Sequence, residues 1–178
     1  MAGTVSELKR ELRSKEVKWV QPEQIHITLR FLGYIWPDEV EGVAEGVNRS
    51  VRDTRPFVLR GGRLACFPSV QRPRVLWLGV EEQAESCSEL QRRIQRATSG
   101  IGEPAEDRGF VPHLTLARIT HLERSEVAVL ERVGKRPVEI STDWKVSEAL
   151  LMQSHLSSAG ARYEVLHRAP LGLPGEAL

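Results

Sequence analysis

The chain has little of what several broad protein classes require. Its 178 residues include only two cysteines, Cys66 and Cys87, with no Cys-x-x-Cys and no neighbouring His pair. A disulfide framework and a cysteine-rich metal site are thereby excluded, and two free thiols in a reducing cytoplasm are expected. No apolar run approaches the ~20 residues needed to cross a bilayer. The opening stretch, MAGTVSELKRELRSKE, is charged and without an apolar signal region, so neither a membrane nor export is expected. An excess of charge of one sign is also missing: 25 basic residues against 24 acidic leave +1. That argues against a protein that coats nucleic acid by bulk electrostatics, while leaving room for a local basic cleft.

What remains is the composition of an ordinary soluble globular protein, 40% apolar and 28% charged. The length suits one domain spanning residues 1–178, or two small lobes sharing a core. Periodicity predicts helices over Val5–Ser14, from Trp36-Pro37-Asp38 to about Arg52, over Ala84–Thr98 and over Ser125–Val133. Strands are predicted at Val17–Val20, Ile25–Gly33, Phe57–Arg63, Arg74–Val80 and His113–Thr120. The tail adds Val138–Ile140, Val146–Gln153 and Arg162–His167, the last pair punctuated by Gly160 as a hairpin. Helices and strands mix without regular βαβ alternation, which predicts an α+β fold with mainly antiparallel sheet.

An internal repeat is the first feature that points to chemistry. An offset of 87 residues sets His26 on His113, Thr28 on Thr115 and Leu29 on Leu116, and continues without a gap to Glu39 on Glu126 and Val40 on Val127. Both copies read as a His-x-Thr-Leu strand, a turn and an amphipathic helix. The period is too long for a solenoid. It implies two related lobes, each offering one His-x-Thr strand to a shared groove.

Side chains alternate between the faces of a strand. Ile25, Ile27, Leu29 and Phe31 then form one apolar face, and His26, Thr28 and Arg30 the other. In the second copy Leu114 and Leu116 point inward while His113 and Thr115 share the opposite face. Two imidazoles and two hydroxyls around one ligand suit a phosphodiester. Its opening by water needs a base for the water and an acid for the departing oxygen. Imidazole, with an ordinary pKa of ~6.5, serves in either role near neutrality. Threonine hydroxyls can donate to the non-bridging oxygens as negative charge builds there.

The segments HITLRFLG (residues 26–33) and GFVPHLTLAR (residues 109–118) resemble the paired His-x-Thr-x motifs of the two-histidine phosphoesterase superfamily. Within it, the chain most resembles the RNA 2′,3′-cyclic phosphodiesterases, also called 2′-5′ RNA ligase-like proteins. The resemblance extends to PRVLWLGV and VSEALLMQSHLSSAGARYEVL, covering most of Val17 to Leu166. It implies a bilobal fold of two sheets related by a pseudo-two-fold axis, with helices on the outer faces. It also implies hydrolysis of RNA 2′,3′-cyclic phosphate ends to 2′-phosphomonoesters, with no metal or other cofactor. His26 would be the proton donor to the leaving 3′ oxygen, His113 the proton acceptor, and Thr28 and Thr115 would bind phosphate. The motifs alone leave the polarity open, because the two strands look equivalent. Weak 2′-5′ ligation, the reverse chemistry, would be a side activity. The expected partners are RNA ends or small nucleotides, without an obligate protein partner.

The family's usual short apolar strand ahead of the first helix has no counterpart here, so that strand is expected to be missing or replaced. Two other functions fit the motifs: a 2′-5′ or cyclic-nucleotide phosphodiesterase acting on small nucleotides, and a module that binds RNA ends without turnover. Arg118, Arg74, Arg30 and Phe110 are candidate substrate contacts. Strict alternation sends Arg118 to the face of Leu114 and Leu116, away from His113, unless a twist returns it. Trp77, between Leu76 and Leu78, reads as core, and Tyr163 as a weaker stacking candidate. His121, His155 and His167 read as ordinary surface histidines.

Overall fold

The computed structural model describes residues 2–104, 109–135, 144–157 and 160–172. In chain order they form α1 (Ala2–Glu11), β1 (Val17–Trp19), a 3-10 turn at Pro22–Gln24, α2 (Glu39–Val51), β2 (Phe57–Ser69), β3 (Arg72–Glu82), α3 (Ala84–Ala97), β4 (His113–Ile119), α4 (Arg124–Gly134), β5 (Trp144–Val146), β6 (Glu148–Ser157) and β7 (Gly160–Pro170). The class is α+β as expected. A five-stranded sheet has the order β1-β4-β3-β2-β5, and β6 and β7 form a separate ribbon. The predicted strand at Val138–Ile140 lies outside the described residues.

The chain divides into two compact units. The first comprises Met1–Ile27, Leu59–Ala84 and Pro112–Trp144, the second Thr28–Val58, Glu85–Val111 and Lys145–Leu178. In the first, β1, β4, β3 and β2 pair antiparallel. Their core face carries Val17, Leu114, Leu116, Ala117, Ile119, Leu76, Leu78, Leu64 and Cys66. Leu8 on α1, Leu12 just past its end, and Leu130 and Val133 on α4 cover this face. Burial of each such leucine contributes about 2–3 kcal/mol. A capping box between Glu123 and Glu126 starts α4, satisfying backbone donors at its first turn.

The second unit is built on the β6–β7 hairpin, which Gly160 opens opposite Ser157. Val43, Val47 and Val51 recur every fourth residue along α2 and pack with Leu90 and Ile94 of α3 against Ala149, Leu151, Ala169 and Leu171. Among the described residues no helix is long and apolar enough to cross a membrane.

One predicted element does not form. Residues 25–33 carry no strand, and the chain there is irregular after the 3-10 turn. The apolar spacing explains why. Ile25 and Ile27 pack on the first core, whereas Leu29 and Leu32, three residues apart, both pack on the second. Period-two alternation cannot put residues three apart on one face. Phe31, expected inward, is 69% exposed. A backbone bond from Glu103 N–H to the Leu32 carbonyl (2.8 Å) fixes the loop instead. Gly102 permits that approach: its φ is +67°, and a Cβ there would lie 2.1 Å from the Leu32 oxygen.

Both cysteines are free and buried. Cys66 lies on the core face of β2 opposite Leu76, and Cys87 on the inner side of α3. Burial pushes each thiol up to about 11. Since the thiolate is the reactive species, the native protein should show almost no reaction with a disulfide reagent at neutral pH. Two thiols should react on unfolding, and rapid native labelling of either would contradict this packing.

Candidate active site

Three of the sequence candidates, His113, Thr115 and Arg118, lie on the face of the five-stranded sheet opposite α1 and α4. On β4, His113 and Thr115 are half-buried and alternate with the buried Leu114 and Leu116. Their cross-strand partners on β3 are Gly79 and Trp77. Directly opposed residues share a face, so Trp77 lies on the histidine side. This corrects the reading of Trp77 as core: Leu76 and Leu78 fill the core, and the indole points the other way. Its ring stacks on Phe67 (centroids 4.8 Å, 27°) and tilts against His113 (5.6 Å, 60°). Phe67 meets the His113 ring edge-on at 5.1 Å. The imidazole is thus held by two aromatic rings. Gly79 makes space for them, since a Cβ there would stand 3.2 Å from the indole Cζ3.

A register shift between Leu76 and Trp77 changes the fate of Arg118. Leu76 opposes Ala117 and Trp77 opposes Thr115, so Leu116 has no opposite residue on β3. Leu116 and Ala117 are then both buried, at 2% and 0%. The bulge flips the alternation, and Arg118 opposes Val75 on the exposed face. Arg118 therefore shares the face of His113 and Thr115, the reverse of what strict alternation gives.

His26 follows the 3-10 turn and is half-buried. Ile25 and Ile27 on either side pack on the first core, which turns the intervening imidazole away from it. Its Nδ1 lies 2.7 Å from the Gln24 carbonyl. A carbonyl only accepts, so Nδ1 is the donor in this bond. His26, His113, Thr115 and Arg118 all belong to the first unit, while Thr28, Arg30 and Phe110 belong to the second. The expected division of one histidine strand per lobe is therefore not what the units contain.

The other candidates have different tasks. Arg30 donates from Nη1 to the Gln95 carbonyl (3.1 Å) and the Thr98 hydroxyl (2.6 Å). From Nη2 it donates to the carbonyls of Ile101 (2.9 Å) and Glu103 (3.2 Å). It thus closes the C-terminal end of α3 and the loop after it, where carbonyls lack helical partners. Arg74 donates to the Thr120 carbonyl, tying β3 to the end of β4. Thr28 is exposed, and Phe110 and Tyr163 are half-buried. His121 pairs with Glu123 (3.5 Å), His155 with Glu164 (3.1 Å), and His167 with Asn48 (2.9 Å), in keeping with surface roles. Among the described residues no three His, Cys, Asp or Glu side chains are grouped as a metal site requires.

The fold is that of LigT-like phosphoesterase structures. TT0787 of Thermus thermophilus matches with a TM-score of 0.73 at 28% identity, covering 95% of this chain and 90% of that one. E. coli LigT complexed with 3′-AMP matches with a TM-score of 0.71 at 21% identity, covering 96% and 90%, a likeness of fold alone. The chain belongs to the 2′-5′ RNA ligase superfamily, whose family profile matches residues 2–157. An Aquifex aeolicus protein named RNA 2′,3′-cyclic phosphodiesterase is 35% identical over 167 residues, 93% of this chain and 88% of its own length. A protein of the same name from Aeropyrum pernix is 32% identical over 180 residues, 98% and 99%.

Arg30→Ala should lower stability by about 2–3 kcal/mol, because it leaves several polar groups at the helix end without their charged donor. Arg30→Lys should recover little, since one ammonium cannot span four acceptors in the same fork. Denaturant unfolding of the three proteins checks this, and an unchanged midpoint in Arg30→Ala would remove the structural role.

Proposed function

We propose that the protein hydrolyses RNA 2′,3′-cyclic phosphate ends to 2′-phosphomonoesters by two-histidine acid–base catalysis. One observation carries the reading: His113, Thr115 and Arg118 share one face of the sheet, in a chain of this superfamily. Thr115 donates its hydroxyl to a non-bridging oxygen. Arg118 supplies a guanidinium fork for the phosphate charge. Thr28, in the matching position of the first motif, takes the same role as Thr115.

In the proposed step His113 accepts a proton from water as the water oxygen bonds to phosphorus. The bond from phosphorus to the 3′ oxygen breaks, and His26 Nε2 delivers its proton to that oxygen. His26 is assigned the acid and His113 the base because that is the polarity the resemblance to the two-histidine phosphoesterases implies. The two rings then exchange protons with solvent to restore the starting states. The pentavalent arrangement carries more charge on its non-bridging oxygens than the substrate does. Arg118 and Thr115 therefore hold it more strongly than the ground state, which is the condition for rate enhancement. No step requires a metal, and the buried, unpaired cysteines suit a cytoplasmic enzyme.

Incubation with a nucleoside 2′,3′-cyclic phosphate in EDTA should give the 2′-phosphate. The pH–rate profile should be bell-shaped, with His26→Ala and His113→Ala each lowering kcat by about 10²–10⁴-fold. A 3′-phosphate product would reverse the bond that breaks. Loss of turnover in EDTA would refute the metal-free route, and near-full activity in either alanine variant would refute the assignment of that histidine.

A further inference from the structure

β1 is the edge strand beside β4, and its register places Lys18 directly opposite Arg118. Both side chains are exposed, and directly opposed residues point to the same side of the sheet. The core-facing neighbours agree: Val17 opposes Ile119 and Trp19 opposes Ala117, all four packed on the α1–α4 side. Lys18 therefore stands on the face of Arg118, Thr115 and His113, one strand further toward the edge. Like charges directly opposite each other on one sheet face are destabilising. Neither Lys18 nor Arg118 forms an ion pair among the described residues. Neither β1 nor β4 contains an Asp or Glu.

This arrangement stands out in a chain whose basic and acidic residues nearly balance. Its arginines elsewhere do find acidic partners, as Arg63 does with Glu81 and Arg168 with Glu148. A lysine on an edge strand also discourages edge-to-edge pairing. Any outward position on that strand would serve the purpose. Opposition to a second cation is what it does not require.

We infer that Lys18 holds the phosphodiester on the 5′ side of the terminal nucleotide, next to the end phosphate bound at Arg118 and Thr115. A mononucleotide has no such group, so Lys18 gives the site a preference for RNA ends over nucleoside cyclic phosphates. The ligand's identity rests on the proposed phosphodiesterase reading; the pairing of cations does not. A second anion between Lys18 and Arg118 also relieves their repulsion, so binding and local stability are coupled.

The test compares a short RNA with a single nucleotide, in binding and in turnover. Binding of a dye-labelled RNA ending in a 2′-phosphate is measured against salt for wild type, Lys18→Gln, Lys18→Arg and Lys18→Glu. Each phosphate contact contributes about 0.7 to the log–log salt slope for a single strand. Lys18→Gln should therefore flatten the slope by about that amount. Its ratio of kcat/KM for cyclic-phosphate RNA to that for the nucleoside 2′,3′-cyclic phosphate should fall about tenfold, for the loss of one charge-assisted contact. Lys18→Arg should restore both. Lys18→Glu should lose RNA binding further while raising the melting temperature, because it puts an opposite charge across from Arg118. An unchanged slope and ratio in Lys18→Gln and Lys18→Glu would overturn the inference. Equal losses on both ligands would also overturn it, by assigning Lys18 to the terminal phosphate. Lys18-dependent RNA binding by a wild-type protein that hydrolyses neither ligand would uphold this contact while refuting the phosphodiesterase reading.

Discussion

The five-stranded sheet must keep one face apolar beneath α1 and α4, and β4 meets that demand only with its bulge. Leu114 and Leu116 reach the core in one phase of the alternation, Ala117 and Ile119 in the other. A strand without the extra residue would expose Ala117 and Ile119 and drive Arg118 into the core. An unpaired guanidinium there would carry a desolvation cost well beyond the few kcal/mol recovered from the apolar residues. The bulge settles the conflict by giving both apolar pairs to the core. Arg118 is left on the opposite face with Thr115, where the separate β1–β4 pairing sets Lys18 across from it. Core burial thus dictates the charge pattern of the face on which the chemistry is proposed.

The histidines are supported by different means. His113 sits on a strand paired on both sides, with its ring against Trp77 and Phe67. Every one of those supports belongs to the sheet itself. His26 lies outside any strand and is placed by two isoleucines on a core and by the Gln24 carbonyl two residues back. A side chain on an irregular segment needs such anchors if it is to hold one geometry.

Much of this was legible in the sequence. Valines four apart announced α2, the inner face of Leu90 and Ile94 announced α3, and the clean alternation at His113 announced β4. Two expectations, at Arg118 and over residues 25–33, fail for one cause: strict alternation does not hold where the apolar phase breaks. Leu116-Ala117-Arg118-Ile119 contains such a break, since apolar residues at 114 and 116 continue at 117 and 119 rather than 118. Leu29 and Leu32 contain another, three apart where a strand needs two or four. Trp77 was assigned by its leucine neighbours although it alternates with them. Arg30 could not have been read at all, because its acceptors come from Gln95, Thr98, Ile101 and Glu103, more than sixty residues away. Lys18 belongs to no motif, and its opposition to Arg118 is a matter of register, which only the paired strands define.

The fates of three arginines show why residue type alone is a poor guide to a phosphate site. Arg30, Arg74 and Arg118 each lie close to a sequence motif, and each has a guanidinium suited to phosphate. Arg30 spends its terminal nitrogens on one hydroxyl and three carbonyls, so those donors are already engaged by the protein. Arg74 is directed to the Thr120 carbonyl. Arg118 has no such partner among the described residues and faces a second cation across the strand pair. A group satisfied by its own backbone gains little by turning to an anion, because it must give up the bonds it has. A cation set against another cation gains both a partner and relief from repulsion. Of the three, Arg118 is therefore the one whose binding of phosphate the rest of the fold does not oppose.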